Sequence, residues 1–341
     1  MKLIRTEDAV GHVLCHDITQ IIRGVTKDAV FRKGHIVRPE DIPVLLSVGK
    51  EHLYVWEQNE NQLHEDKAAE ILRDICINDH ISATAPKEGK IELIAECDGL
   101  FLADVEGLRR VNSLGEMMIA ARSSGFPVKA GDKLCGTRII PLVIEKEKME
   151  RARQAAGEKP LLSLLPMKAK RYGVVTTGSE VQKGLIQDTF TPVIQEKLGE
   201  YGCEMIAHAV PGDDHAAITA AIGEMMDLGC EMVLCTGGMS VDPDDRTPLA
   251  IRNTGARVVS YGAPVLPGAM FLVAYLPDGR PVCGLPGCVM YARRTIFDLA
   301  LPRLLADVEI TAEWLAGLGN GGLCLNCPVC HYPNCGFGKG V

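Results

Sequence analysis

From Lys170 to about Leu305 the chain alternates short, almost wholly apolar runs with longer segments whose apolar residues recur every three or four positions. The runs "KRYGVVTT", "CEMIAHAVP" and "CEMVLCT" read as strands buried on both faces. Between them, Ile194, Leu198 and Tyr201 mark the apolar face of one helix, and Ile218, Ala221, Ile222, Met225 and Met226 that of another. Strands alternating with helices predict parallel βαβ units with helices on both faces of one sheet. Further on, "MFLVAYL" and "RPVCGL" flank the turn Pro277-Asp278-Gly279. Pro286-Gly287 then leads into a long helix from about Cys288, which Pro302 should kink or end.

The remainder is patterned differently. Residues 1–60 mix short strands with a helix opened by Arg38-Pro39-Glu40-Asp41, and the polar stretch "QNENQLHED" closes this small α+β unit. Residues 61–165 read as a β-rich domain, with "GKIELIAECDGLFLAD" and "GDKLCGTRIIPLVI" on either side of a helix "LGEMMIAARSSG". The charged run "IEKEKMERARQAAGEKP" reads as a helical linker with a solvated face. The α/β domain spans 166–310, and 311–341 form a flexible, Cys-rich tail after "GLGNGG".

Composition narrows the partners. At 341 residues and 47% hydrophobic content the chain can bury the cores of more than one domain. A net charge of -8 argues against a nucleic-acid surface or an anionic membrane, since either needs clustered Lys and Arg. No run approaches the roughly 20 apolar residues of a membrane span, and "MKLIRTEDAV" has charges where a signal peptide is apolar, so a cytoplasmic protein is expected. Of 13 cysteines, all but Cys324, Cys327, Cys330 and Cys335 are scattered singly and read as reduced thiols.

Three predicted strand ends carry Gly-containing turns: Thr176-Thr177-Gly178, Thr236-Gly237-Gly238 and Leu285-Pro286-Gly287. In an open α/β sheet, ligands bind at the carboxyl ends of strands, where loops converge and helix amides point outward. Glycines there let the backbone approach a phosphate, and the hydroxyls of Thr176, Thr177, Ser179, Thr236 and Ser240 can donate to its oxygens. Asp242, Asp244 and Asp245 of "CTGGMSVDPDDRTP" repel a bare phosphate, but carboxylates can hold Mg²⁺, so the ligand should be anionic and arrive with a metal. For Asp244 and Asp245 attraction to a helix start is the competing reading, with Thr247 as N-cap and Pro248 at the first helical position. Asp213 or Asp214 can cap the helix after the second strand.

The motifs "VVTTGSEVQKGLIQD", "GDD", "CTGGMSVDPDDRTP", "PVLPGAM" and "CGLPG", in that order over about residues 168–305, resemble the molybdopterin-binding domain of the MoaB/Mog type, as embedded in MoeA-like molybdopterin molybdenumtransferases. The resemblance implies a three-layer α/β/α sandwich. It implies that molybdopterin, or its adenylylated form, is held by Thr177, Gly178, Ser179, Glu180 and Asp188 at the first strand end, Asp214 near the second, Gly237, Gly238 and Ser240 at the third, and Pro286-Gly287 at the last. Asp242 and Asp245 then hold Mg²⁺ in catalysis, molybdate is the co-substrate, and the protein is a homo-oligomer such as a dimer. A looser similarity to the transferase scaffold runs from "EDAVGHVLCHDI" through "FRKGHIVRPEDIPVLLSVG".

The chain also departs from that pattern. Leu266 and Ala269 stand where the family usually carries lysines, "GLPGCV" replaces "GLPGNP", and neither the N-terminal Asp-Gly-Tyr signature nor the C-terminal β-domain is found. Three functions stay open: molybdate insertion with release of AMP, non-catalytic binding, delivery or sensing of the cofactor, and, more weakly, a CinA-like nucleotide hydrolase. Cys288, expected at a helix N-terminus, is either a low-pKa soft ligand or a small buried residue. His208 and His215 read as structural, and His12, His16 and His35 show no metal-ligand spacing. In the tail, Cys324, Cys327, Cys330 and Cys335 follow C-x2-C-x2-C-x4-C, which predicts a [4Fe-4S] cluster or Zn²⁺, with His331 as an alternative ligand.

Overall fold

The computed structural model describes residues 2–22, 26–55, 61–240 and 245–340. The chain divides into two compact units: Met1–Glu96 with Ala103–Arg122 and Ala130–Ser163, and Cys97–Leu102 with Ser123–Lys129 and Leu164–Val341.

In the first unit, Ala9, Leu14, Ile18, Val37, Leu45 and Leu53 form a small core beside the helix Asp41–Ser47. An antiparallel sheet runs in the order Ile81–Ala83, Lys90–Ala95, Lys133–Ile139, Met117–Ala121. The helix Glu65–Cys76 packs on this sheet. The helix expected at "LGEMMIAARSSG" is corrected: the helix is Val105–Asn112, and Met117–Ala121 is a strand. Gly115 and Glu116 have φ of +71° and +62°, which no helix accepts. Beyond them Met117 and Ile119 are buried while Met118 and Ala120 are exposed, the period of a half-buried strand. The charged helix Lys146–Ala156 buries Met149, Ala152 and Ala156, so one of its faces is packed.

The second unit contains, in chain order, β1 (Arg171–Thr176), α1 (Phe190–Gly199), β2 (Glu204–Ala209), α2 (His215–Asp227), β3 (Met232–Thr236), α3 (Thr247–Asn253), β4 (Arg257–Tyr261), β5 (Leu272–Tyr275), β6 (Pro281–Leu285) and α4 (Ile296–Leu305). They build a six-stranded sheet in the order β2-β1-β3-β6-β5-β4, with β2, β1, β3 and β6 parallel and β5 and β4 antiparallel. Alternation sorts the strand residues. Tyr172, Val174, Met232, Leu234, Val273, Cys283 and Leu285 join Ile194, Leu198, Phe297 and Leu301 on one face. Val175, Val233, Cys235, Leu272, Ala274 and Val282 join Ile218, Ile222, Met225 and Ile251 on the other. The result is the three-layer α/β/α sandwich expected, with both sheet faces covered.

The long helix expected from Cys288 is interrupted. Gly287–Met290 is one 3-10 turn, and α4 starts only at Ile296, where Thr295 and Asp298 form a capping box. Pro302 lies inside α4 rather than ending it. A proline at 302 leaves the carbonyl of Asp298 without its helical donor, and the hydroxyl of Tyr332 donates to that carbonyl at 2.9 Å. Residues 311–341, expected to be flexible, make specific contacts: Leu323 bridges Leu266, Cys324 N–H donates to Leu266 O at 2.8 Å, and Phe337 is buried in the core. Among the described residues, no helix is long and apolar enough to cross a membrane.

Candidate functional site

In the register of the sheet Thr176 stands beside Thr236 and Thr236 beside Leu285, so the carboxyl ends of β1, β3 and β6 lie side by side. Gly237 and Gly238 have φ of +79° and +56°. A Cβ on Gly237 would sit 2.5 Å from the Thr177 carbonyl oxygen, and one on Gly238 2.6 Å from Thr247 Oγ1. Only glycine combines that left-handed backbone with so close an approach.

The hydroxyls around this turn divide into engaged and free. Thr177 Oγ1 donates to Thr236 O at 3.0 Å and Thr247 Oγ1 to Gly237 O at 2.9 Å. Both tie the loop together, and Thr177, expected to offer its hydroxyl to a ligand, here donates that proton to the backbone of the third strand end. Thr247 is the first residue of α3 and fastens the Gly-Gly turn instead of capping the helix. Thr236 Oγ1, by contrast, is buried and has no partner among the described residues. Buried hydroxyls are mostly bonded, so this one marks a polar group left over beneath the Gly-Gly turn.

Ser179 donates from both its amide and its hydroxyl to Asp213 Oδ2, at 2.7 and 2.5 Å. Asp213, not Asp214, therefore links the first loop to the second, while Asp214 caps α2 by accepting from Ala216 N–H at 3.1 Å. The sequence left the choice open because both aspartates are chemically fit to cap. Glu180 and Ser240 are exposed, Pro286 is buried, Gly287 is exposed and Asp245 is half-buried. Asp242 and Asp244 lie outside the described residues. Cys288 is half-buried inside the four-residue 3-10 turn, and burial pushes its thiol pKa up rather than down. One turn carries too little helix dipole to offset that desolvation.

Asp188 is the most heavily bonded of the expected site residues. It accepts from the amides of Phe190 (2.8 Å) and Thr191 (3.1 Å), from Thr191 Oγ1 (2.5 Å) and from Thr176 Oγ1 (3.1 Å). His208 Nε2 lies 2.9 Å from Thr176 Oγ1 and 3.5 Å from the carboxylate. Neither Thr191 nor His208 was expected in this network; Thr191 follows Asp188 by three residues, whereas His208 on β2 is brought there only by folding. Burial pushes the Asp188 carboxyl up, but the bonds from Thr191, Phe190 and Thr176 outweigh it and hold the pKa below the usual aspartate value. A depressed pKa contributes stability above the unfolded-state value of about 3.9 that is lost as pH falls through the folded value. Asp188→Ala should therefore cost about 1–2 kcal/mol near neutrality, and the difference from wild type should shrink in acid. Urea unfolding across that range measures it; a pH-independent difference rejects the assignment.

In the first unit, one ligand atom each of His64, Glu65 and Asp66 lie within 4.8 Å of one another, a group that the sequence pattern did not single out. Lys33 Nζ already occupies it, 2.9 Å from His64 Nδ1 and 2.6 Å from Asp66 Oδ2. His64 Nε2 donates to Cys15 O at 2.8 Å, leaving Nδ1 to accept from Asp66 N–H at the start of the helix. Burial, then the neighbouring Asp66 charge, raises the Glu65 pKa to about 7. The group is an internally neutralised helix start.

Residues 173–306, which contain all three strand ends, match the family described as "Probable molybdopterin binding domain". Residues 3–57 match a domain of unknown function, DUF8806. The chain is 28% identical over 196 residues to a molybdopterin molybdenumtransferase of Synechococcus elongatus, covering 54% of this chain and 46% of the relative. It is 35% identical over 174 residues to a CinA-like protein of Mycolicibacterium gilvum, covering 43% and 40%. In both cases the match spans less than half of the relative's length. Among solved structures, the molybdopterin biosynthesis enzyme MoaB of Thermus thermophilus is similar at 24% identity over 40% of this chain and 91% of its own, with a TM-score of 0.34. The match to the molybdopterin-binding-domain family thus coincides with the sandwich whose strand ends carry the Gly-Gly turn and the unpartnered Thr236 hydroxyl.

Proposed function

We propose that the MoaB/Mog-type domain binds adenylylated molybdopterin across the ends of β1, β3 and β6 and supports exchange of its AMP group for molybdate. The observation that carries this reading is the Gly237-Gly238 turn, too close to its neighbours for any side chain, beside the buried, partnerless Thr236 hydroxyl. A diphosphate approaching that turn meets backbone rather than side-chain bulk. Ser179 and Asp213 fasten the facing loop, and Asp188 with Thr176, Thr191 and His208 holds the first strand end rigid. Asp245 and Asp242 supply the hard oxygen donors that Mg²⁺ prefers, and the ion, when bound, neutralises phosphate charge. Catalysis of this kind needs positioning and charge compensation rather than a side-chain nucleophile.

Purified protein with adenylylated molybdopterin, Mg²⁺ and molybdate should release AMP, and Asp242→Asn should remove most of that release. AMP no higher in wild type than in Asp242→Asn rejects the transfer reaction. One observation favours a binding, delivery or sensing role instead: Leu266 and Ala269 occupy the positions of the family's lysines, and the Leu266 backbone is paired with Gly322 and Cys324 of the tail. Tight cofactor binding without AMP release, unchanged by Asp245→Asn, selects that second role. AMP release from simple dinucleotides, the activity of a CinA-like hydrolase, selects the third. Native mass spectrometry of the same sample reports the ligand, the metal and the homo-oligomer expected.

A further inference from the structure

The tail is anchored before and within its cysteine run. Before it, Leu266 N–H donates to Gly322 O and Cys324 N–H to Leu266 O, both at 2.8 Å. Within it, between Cys330 and Cys335, Tyr332 bonds the Asp298 carbonyl, lies under the Arg294 guanidinium at 5.1 Å and meets Phe126 and Phe337, the latter beyond the run, at ring distances of 6.0 and 6.4 Å. Between Cys324 and Tyr332 Asn326 takes φ +51°, and Cys324, Cys327, Cys330, Cys335 and His331 all line one cavity of about 570 Å³. Cys327 and Cys330 are exposed, Cys324 and Cys335 half-buried, and all four are free thiols.

We infer that this cavity is a [4Fe-4S] site with Cys324, Cys327, Cys330 and Cys335 as its four ligands. Spacing separates it from a zinc site. A single Zn²⁺ with Zn–S bonds of about 2.3 Å holds its sulfurs about 3.8 Å apart. Among the described residues, no three tail thiols gather within 4.8 Å as His64, Glu65 and Asp66 do. Cysteines that ligate a cubane each bind a different iron, so their sulfurs need not gather as closely as around one ion, and all four line the one cavity. Charge agrees with the assignment: a cluster on four thiolates carries roughly two net negative charges, and Arg293 and Arg294 line the same cavity. Arg293 donates to Pro328 O at 3.0 Å and has no carboxylate partner among the described residues, so its charge is available to the cluster.

The test is anaerobic ligand exchange from a preformed [4Fe-4S] complex carrying small thiolates. Each cysteine thiol gives its proton to a departing thiolate and forms one Fe–S bond as one breaks, with no change in oxidation state. Full-length protein should acquire roughly four irons and four sulfides per chain, a broad visible absorbance and an electron-spin signal on reduction with dithionite. Cys327→Ser with Cys330→Ser, both exposed and outside the packed core, should lose at least three quarters of that iron with unchanged circular dichroism, whereas His331→Ala should keep it. Iron retained by the double serine variant, iron lost in His331→Ala, or a colourless chain that takes one zinc in competition overturns the assignment.

Discussion

Asp298→Ala is expected to destabilise the second unit by about 3–5 kcal/mol, the usual cost of breaking a buried ion pair from one side. Asp298 Oδ1 accepts from Lys197 Nζ and Arg294, both at 2.9 Å, and Oδ2 from the Thr295 amide at 2.7 Å. The Lys197 and Asp298 side chains are only 9% and 4% exposed, so water cannot replace the lost partner. Removing the carboxylate strands an ammonium whose remaining partner is the Arg293 carbonyl at 3.0 Å, and it breaks the capping box of α4. Lys197→Met combined with Asp298→Leu should recover the part of the loss that comes from the stranded ammonium, but not the bonds from Arg294 and the Thr295 amide. Urea unfolding of the single and double variants measures this. A single-variant loss under about 1 kcal/mol would mean the pair is solvated, as surface pairs are.

Gly237→Ala is expected to lower molybdopterin affinity at least about tenfold, which corresponds to 1.4 kcal/mol. A left-handed backbone costs a non-glycine residue about 1–2 kcal/mol. The added Cβ would also stand 2.5 Å from the Thr177 carbonyl oxygen and 2.7 Å from its hydroxyl, forcing β1 and β3 apart at their ends. Gly223→Ala is the control: Gly223 lies inside α2 with nothing within 4 Å of an added methyl, and alanine there favours the helix. Ligand titration followed by fluorescence should separate the two variants clearly. Equal affinities would remove the Gly-Gly turn from the binding site.

Much of the sandwich was legible because its signals are local. The continuous apolar runs ending in "VVTT" and "MVLCT" mark strands buried on both faces, and the three Gly-containing strand ends follow from where such runs stop. The MoaB/Mog resemblance added an order of motifs that no single turn carries. Periodicity failed where the signal was short or double. "RVVSY" was not read as a strand, and its central residues are only half-buried at the sheet's edge. "LGEMMIAARSSG" holds enough helix formers to pass for a helix, until Gly115 and Glu116 take positive φ and the pairing with Lys133–Ile139 imposes a strand. The identity of the free donor was beyond any local pattern. Thr177, Thr236 and Thr247 are chemically alike, and only the approach of β1, β3 and α3 decides that two hydroxyls bind backbone while Thr236 is left over. The same holds for Asp213 against Asp214, and for Tyr332 supplying the donor that Pro302 denies to Asp298 from 34 residues away. A sequence determines which groups can bond, because that is chemistry; the tertiary structure decides which do, because partners far apart in the chain compete for the same few oxygens.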